Sequence, residues 1–360
     1  MQSPLIQKDQ EGHSDAAVRE TDELLREAGL VRSLPGKHRA VARAAGAKPW
    51  MKEELSRPAP LPRVAGNGIQ WLAARGWEKT TWLWHGFATR PGGLSRAYCA
   101  DDTPGELNLG FTATDDRDIV AQNRRLLVEG ITGNADSPLI TLRQVHSSVL
   151  VHAVQTDAAR DKPWRGDGLM TDEPGLLMGV QTADCVPVLV FDRKKRAVAA
   201  FHAGWRGTAK RIVESGVGRM RLEFGSRPED LMAAIGPAIG VCCYAVGDEV
   251  LSSFESQFSY AGELFREVYD TDPVRAKYPM LFLTQRAPGH SPMGPSLHVD
   301  LAEANRRQLL DAGLKPRAIQ MIGGCTSCDS GLFFSHRASN GHAGRMMSVI
   351  GIKNEYADKR

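Results

Sequence analysis

The chain has 360 residues, with 45 Lys and Arg against 42 Asp and Glu, so its formal net charge is +3. This near-neutral balance lacks the basic excess that makes nucleic acid the default partner of a protein. Apolar residues make up 42% of the chain and charged residues 24%, which is enough to bury a core and excludes a wholly disordered protein. No stretch reaches the ~18 consecutive apolar residues that a membrane span needs.

The N-terminal residues are polar and contain no apolar segment of the kind that a secretory signal requires. We therefore expect a cytoplasmic protein. In that reducing compartment the six cysteines are expected to be thiols, metal ligands or nucleophiles rather than disulfides.

Residues 1–65 differ in composition from the rest of the chain. Ser14 is a candidate N-cap for a helix over Asp15–Ala28. The following residues 31–63 are rich in Ala, Arg, Lys and Pro, show little periodicity and end in the linker-like run RPAPLPR. We expect residues 1–65 to be a leader and linker, partly disordered or helical, and residues 70–355 to form the main folded domain.

From Trp71 onward, short apolar runs alternate with amphipathic segments and with turns marked by Gly or Pro. Strands and helices are intermixed without strict βαβ alternation, which predicts an α+β fold of mixed β-sheets flanked by helices in a single domain. In chain order the predicted elements are helix Asp116–Glu129, strands Leu139–Val145, Val149–Val154, Leu176–Gln181, Val186–Phe191 and Ala197–His202, helix Thr208–Phe224, strand Leu231–Ile235, helix Leu301–Ala312 and strand Ile319–Ile322.

Two of these strands flank a charged turn at Asp192–Arg196 and predict an antiparallel hairpin. If the loop consists of Arg193 and Lys194 alone, Cys185 lies directly opposite His202. Their Cβ atoms would then be about 4.5 to 5.5 Å apart, a gap that one divalent metal can bridge. A slip of one residue would abolish this pairing, and a buried thiol beside a core histidine is the structural alternative.

The strand that carries His202 is followed by a glycine-rich turn, Gly204–Thr208, and then by a helical pattern. Backbone N–H groups at such a turn can bind an anion. The guanidinium of Arg206 would add a permanent positive charge suited to phosphate or carboxylate. A strand, turn and helix with two glycines is common, so a purely structural turn remains the alternative.

Several longer motifs together resemble the YfiH-like family, also called the laccase-domain, polyphenol-oxidase or peptidoglycan-editing-factor family. The resemblance extends in order over about residues 80–352 and excludes the leader. The motifs are LRQVHSS at 142–148, QTADCVPVLVFD at 181–192, AAFHAGWRGTA at 199–209, AAIGPAIGVCCYAVGDEV at 233–250 and FFSHR at 333–337.

The resemblance implies one zinc ion held by His146, Cys185 and His202, the last two being the pair that the hairpin brings together. Three protein ligands leave a fourth position open, which is typical of a catalytic zinc site. Copper is also possible, because affinity at such a site rises toward Cu²⁺, but it is less favoured than zinc.

The resemblance also implies a purine nucleoside phosphorylase that converts adenosine, inosine and methylthioadenosine with phosphate to the base and a ribose 1-phosphate. Deamination of adenosine to inosine is implied as well, because a water activated by zinc can attack C6 of adenine. The partners would be small nucleosides and phosphate, with no nucleic acid or membrane, and the protein is expected to be a monomer. Candidate substrate- or phosphate-binding residues, each also explicable as a structural polar group, are Asn108, Gln144, Asp167, Arg206, Gly207, Thr208 and Arg337.

Three other functions remain open at this point. A multicopper oxidase needs His-x-His pairs, and the sequence has none, so a copper polyphenol oxidase is disfavoured. A cysteine hydrolase would use Cys185 as nucleophile and His202 as its base, acting on a peptidoglycan precursor such as UDP-muramoyl-serine. The third is a metal-binding module without catalysis.

The remaining cysteines include the adjacent pair Cys242 and Cys243 and a Cys-x-x-Cys at Cys325 and Cys328. A second zinc site would require all four to converge, and a single Cys-x-x-Cys is a weak signal. We therefore expect these four residues to be reduced thiols.

Overall fold

A computed structural model describes residues 61–99, 105–160, 162–268 and 296–354. The predicted helix Asp15–Ala28 and most of the predicted leader lie outside these residues. The predicted elements from residue 116 onward lie within them.

The described residues form β-strands and α-helices, which are numbered separately in chain order. The strands are β1 (Arg63–Val64), β2 (Gln70–Leu72), β3 (Leu83–Ala88), β4 (Pro91–Ser95), β5 (Leu139–Thr141), β6 (Leu150–His152), β7 (Gly168–Thr171), β8 (Leu177–Thr182), β9 (Val186–Asp192), β10 (Val198–Ala203), β11 (Leu231–Ile235), β12 (Ala245–Val246), β13 (Phe265–Val268), β14 (Ser296–Val299), β15 (Ile319–Met321) and β16 (Met346–Ile352). The α-helices are α1 (Arg117–Thr132), α2 (Trp205–Ala209), α3 (Ile212–Phe224), α4 (Asp248–Glu255), α5 (Ala261–Leu264) and α6 (Leu301–Asp311).

Apart from β4, the strands of the described ranges form two six-stranded sheets and one three-stranded sheet. The first large sheet, sheet I, has the order β1-β2-β3-β16-β8-β5, and the second, sheet II, has the order β15-β11-β9-β10-β7-β6. Most neighbours are antiparallel, whereas β5 with β8, β11 with β15 and β6 with β7 are parallel. The fold is therefore α+β with mixed sheets, as the sequence predicts.

The apolar runs are buried on both faces because sheet II lies between sheet I and a layer of helices. In β9 every residue is buried, and alternate side chains enter different clusters, as the twofold period of a strand requires. Leu189 and Phe191 join the core shared with sheet I. Val188 and Val190 join the core shared with α3 and α6.

The helices flank the sheets. Helix α1 begins at the N-cap Asp116, whose side chain accepts hydrogen bonds from two backbone N–H groups, and packs Leu127 and Val128 into a third core beside sheet I. Within the described ranges, no helix is long and apolar enough to cross a membrane.

Two predicted elements are corrected by the structure. The helix expected over Thr208–Phe224 is divided in two, because Arg211 adopts a left-handed conformation with φ of 56° between α2 and α3. The strand expected over Leu139–Val145 ends at Thr141. The sequence analysis also missed β16, which is central to sheet I and fully buried.

Candidate metal centre

Three side chains converge at one end of sheet II. The ligand atoms of His146, Cys185 and His202 all lie within 4.8 Å of one another. The Cys185 Sγ is 3.7 Å from the His146 Nε2, and the two imidazole centroids are 5.0 Å apart. Two imidazoles and a thiol at this spacing are a donor set suited to a single transition-metal ion.

Each of the three side chains comes from a different segment of the chain. His202 is buried in β10, near its end. Cys185 immediately precedes β9, and His146 lies in the loop after β5, where its backbone has a positive φ of 56°. The centre thus combines one rigid strand position with two loop positions.

The hairpin of β9 and β10 is confirmed, but its predicted register is wrong by two residues. His202 pairs with Pro187 rather than with Cys185, because the turn is longer than the two-residue loop assumed and is closed by a hydrogen bond from the Asp192 N–H to the Ala197 carbonyl. A shift of two residues keeps every side chain on its original face. Cys185 and His202 therefore still meet.

The buried carboxylate of Asp167 organises this centre. One of its oxygens lies 2.9 Å from the His202 Nδ1, and the carboxylate accepts hydrogen bonds from the backbone N–H groups of Val145, His146 and Ser147. Burial opposes its ionisation, yet the hydrogen bonds from His202 and Ser147 outweigh burial and lower the pKa of Asp167 to about 2. The interaction occupies the His202 Nδ1 and leaves Nε2 for a metal.

Cys185 and His202 favour each other's charged forms. Burial opposes ionisation of the thiol, but the imidazoles of His202 and His146 outweigh it and lower the pKa of Cys185 to about 6. Burial likewise opposes protonation of His202, whereas Cys185 and Asp167 raise its pKa to about 9. The thiolate is the form that binds metals and attacks electrophiles.

Gly204 leaves room for the centre. A Cβ at this position would lie 2.8 Å from the His146 Cδ2 and 3.0 Å from the Cys185 Sγ. A side chain here would displace two of the three candidate ligands. The absence of a side chain at Gly204 and the chemistry of the donor set both fit a bound metal ion.

Asp184 is a residue that the sequence analysis missed. It has a positive φ of 90°. Its carboxylate accepts hydrogen bonds of 2.7 Å from the Thr326 hydroxyl and from the backbone N–H of Arg337. Its carbonyl accepts the Ile239 N–H. Asp184 therefore fixes the backbone immediately before Cys185, and its place in the motif TADC was the available signal.

Arg206 and Arg337, two of the predicted substrate-binding residues, carry permanent positive charges. Burial raises the pKa of the Tyr244 hydroxyl to about 12, with the charges of Cys185 and Asp184 adding to this and the guanidinium groups of Arg337 and Arg206 opposing it. The Arg337 guanidinium lies over the Tyr244 ring, 5.2 Å from its centroid. Arg206 and Arg337 are both exposed, so an anion can reach each of them from solvent.

The turn that was predicted to bind an anion is only partly available. The Thr208 N–H donates to the Gly204 carbonyl, and the Thr208 side chain is buried against Asn305. Because this hydrogen bond is already made, the structure does not favour the use of the Thr208 N–H for an anion, which stays a prediction. Arg206, which lies 4.2 Å from the Trp205 ring, and the neighbouring Gly207 remain candidates.

Asn108 and Gln144, two further predicted substrate-binding residues, make hydrogen bonds within the protein, and their contact with substrate stays a prediction. The Asn108 amide makes four hydrogen bonds, to the Gly110 N–H and carbonyl, the Asp115 carboxylate and the Arg345 N–H, which is its full capacity. Gln144 bonds both the N–H and the carbonyl of a single residue, Gln181. The Gln144 amide thus fixes the backbone two residues before His146.

Comparison with known proteins agrees with the resemblance seen in the motifs. Residues 84–353 match the family described as multi-copper polyphenol oxidoreductase laccase. The chain belongs to this family. Among the residues that the structure describes, two groups of side chains could hold a metal, and neither contains a His-x-His pair.

Curated relatives in this laccase family are named purine nucleoside phosphorylases. The chain is 35% identical over 277 residues to "Purine nucleoside phosphorylase YlmD" of Geobacillus stearothermophilus, covering 75% of this chain and 90% of the relative. It is 35% identical over 269 residues to "Purine nucleoside phosphorylase" of Deinococcus radiodurans, covering 74% and 88%. These names support a function of the purine nucleoside phosphorylase kind.

Solved structures of the family have the same fold. The Bacillus licheniformis hypothetical protein YfiH matches with a TM-score of 0.65 and 31% identity, covering 81% of this chain and 99% of the other. YlmD from Geobacillus stearothermophilus matches with a TM-score of 0.64 and 32% identity, covering 82% and 100%.

Proposed function

We propose that the chain is a zinc-dependent purine nucleoside phosphorylase. It would convert adenosine, inosine and methylthioadenosine with phosphate to the free base and a ribose 1-phosphate, and would also hydrolyse adenosine to inosine and ammonia. The observation that carries this proposal is the convergence of His146, Cys185 and His202 within 4.8 Å, in a chain whose relatives are named for the phosphorolysis.

His146, Cys185 and His202 would hold the zinc, which when bound supplies Lewis-acid activation of a water or of the substrate. We favour zinc over copper because the chain lacks the His-x-His pairs of a multicopper site. Asp167 orients the His202 ring and holds the loop that carries His146. Its role is to position two ligands rather than to contact substrate.

Phosphate would bind at the cationic side of the centre. Arg206 and Arg337 are both exposed, and the Arg337 guanidinium lies 5.2 Å from the centroid of the Tyr244 ring. Two guanidinium groups can share the charge of a phosphate dianion and hold it beside the sugar of a bound nucleoside. The Gly207 N–H is a further candidate donor to this anion.

We propose residues 70–355 as the catalytic domain. We also propose that the protein acts as a monomer. The net charge of +3 suits one small anion site better than a surface for nucleic acid.

A cysteine hydrolase is the second candidate, because the neighbouring imidazoles lower the pKa of Cys185 to about 6. In that reaction the thiolate would attack the amide carbonyl of a peptidoglycan precursor such as UDP-muramoyl-serine, the amine would leave with a proton as the thioester forms, and water would then hydrolyse the thioester. A chelator would leave this activity intact and would abolish the zinc-dependent one.

The test is an analysis of products from adenosine, with and without phosphate, using the purified full-length protein. We expect adenine and ribose 1-phosphate only when phosphate is present, and inosine in both cases. Cys185→Ala should form none of these products, whereas the matched control Cys99→Ser should behave as wild type. Absence of all three products from the wild-type protein would refute the proposal.

A further inference from the structure

We propose a second metal site, in which Cys242, Cys243, Cys325 and Cys328 bind one zinc ion as a tetrathiolate. The four sulfur atoms lie within 4.8 Å of one another. The Cys328 Sγ is 3.5 Å from that of Cys242 and 3.4 Å from that of Cys243. With Zn–S bonds of about 2.3 Å, the edge of a tetrahedron of sulfur atoms is about 3.8 Å, close to both distances.

The topology of sheet II explains why cysteines so far apart in sequence meet. Strands β11 and β15 are parallel neighbours, so the chain leaves both strands at the same edge of the sheet. Pairing continues past the strand ends, where Ala238 forms a bridge with Cys325 and the Thr326 N–H donates to the Ala238 carbonyl. The two loops that follow carry the four cysteines.

The backbone around the four cysteines is arranged as around metal-bound thiolates. The Gly240 N–H donates a hydrogen bond of 3.2 Å to the Cys325 Sγ. Donors of this kind orient and stabilise ligand sulfurs. The Gly240 carbonyl in turn accepts the N–H groups of Cys243 and Tyr244, which holds the adjacent cysteines in a tight turn facing Cys328.

A disulfide is a poorer explanation of this geometry. All four residues are free cysteines, and the Cys328 sulfur is almost equally distant from two others, at well over the ~2.05 Å of an S–S bond. Four thiols at this spacing can all be ionised only if a cation lies between them. Four protein ligands close the coordination sphere, so this zinc would be structural rather than catalytic.

The site would stabilise the backbone next to the candidate metal centre. Thr326 lies between the two cysteines of the Cys-x-x-Cys, and its hydroxyl donates to Asp184, which precedes Cys185. The Ile239 N–H, just before the other cysteine loop, donates to the carbonyl of the same Asp184. Zinc at the four cysteines would therefore hold both loops that fix Asp184.

The test is the zinc content of the full-length protein, measured by mass spectrometry of the metal after purification without chelator. We expect two zinc ions per chain for the wild type and for Cys99→Ser. We expect one zinc ion per chain for Cys185→Ala and likewise for Cys328→Ser. An unchanged zinc content in Cys328→Ser would overturn the proposal, as would iron in place of zinc.

A second measurement covers the case in which Cys328→Ser does not fold. Cys185→Ala protein, whose first centre is disabled, is depleted of metal and titrated with Co²⁺. We expect a stoichiometry of one and the strong sulfur-to-cobalt absorption of four thiolates. Absence of this absorption, or a disulfide among the four cysteines found by mass spectrometry of the native protein, would overturn the proposal.

Discussion

The carboxylate of Asp167 lies 2.9 Å from Nδ1 of His202. The same carboxylate accepts backbone N–H groups from the loop that carries His146. One buried side chain thus orients one candidate ligand directly and positions a second through its backbone. Cys185 is held separately, through Asp184.

Replacing Asp167 should weaken metal binding. In Asp167→Asn we expect the zinc affinity of the centre to fall by about 10- to 100-fold, because the amide cannot accept all the hydrogen bonds that the carboxylate accepts. Competition for zinc with a chelating dye measures this change. The matched control is Asp172→Asn, at an exposed position, which should leave the zinc affinity unchanged. An unchanged zinc affinity in Asp167→Asn would contradict the role assigned to Asp167.

Removing the charge of Arg206 should separate phosphorolysis from deamination. In Arg206→Met we expect KM for phosphate to rise by about 10- to 100-fold, since hydrogen bonds to a charged group contribute about 1.5 to 3 kcal/mol. Deamination, which uses no phosphate, should be nearly unchanged. Lys210→Met, which removes another exposed cation one turn away, should alter neither reaction, and equal losses in both reactions of Arg206→Met would argue against a phosphate site.

Adding a methyl group at Gly204 should disable the centre. The new Cβ would lie within 3.0 Å of His146 and Cys185, so at least one ligand must move. We expect Gly204→Ala to lose the zinc of this centre and both activities. Gly218→Ala is the control, because a Cβ there meets nothing within 4 Å. Full zinc content in Gly204→Ala would show that the contact is tolerated.

His85 should make the fold sensitive to mild acid. Burial, with a further contribution from the Arg63 charge, lowers the pKa of His85 from 6.5 to about 4. The unfolded chain therefore binds this proton at a higher pH than the folded chain does. Above pH 6.5 this histidine is neutral in both states and does not alter the free energy of unfolding. As the pH falls toward 4, the unfolded chain binds the proton and the free energy of unfolding decreases.

Urea unfolding at about pH 7.5 and about pH 4.5 measures this effect. Between these values we expect the wild type to lose about 2 kcal/mol more of its free energy of unfolding than His85→Phe, which has no proton to bind. The exposed His336→Phe should lose as much as the wild type. The same loss in His85→Phe and the wild type would contradict the assignment.

The sequence predicted the hairpin and the meeting of Cys185 with His202, although the register was wrong. The two side chains still meet because a shift of two residues does not change the face of the sheet on which a strand residue lies. Turn length, which set the register, depends on the hydrogen bond between Asp192 and Ala197, and no local pattern indicates it.

Other features depend on contacts that are distant in the chain. The side-chain oxygen of Asn108 accepts a hydrogen bond from the backbone N–H of Arg345. The residues around Asn108 in the sequence do not indicate this contact. Likewise Cys242 and Cys328 meet only because β11 and β15 are parallel neighbours. Local propensity and spacing do not report such pairings.

The most direct test of the account is the phosphorolysis of adenosine by metal-depleted protein to which zinc is returned. We expect the depleted protein to form no adenine in the presence of phosphate, and activity to return when zinc is added to the wild type but not to Cys185→Ala. Adenine formation at the full rate by the depleted protein would contradict a zinc centre at His146, Cys185 and His202.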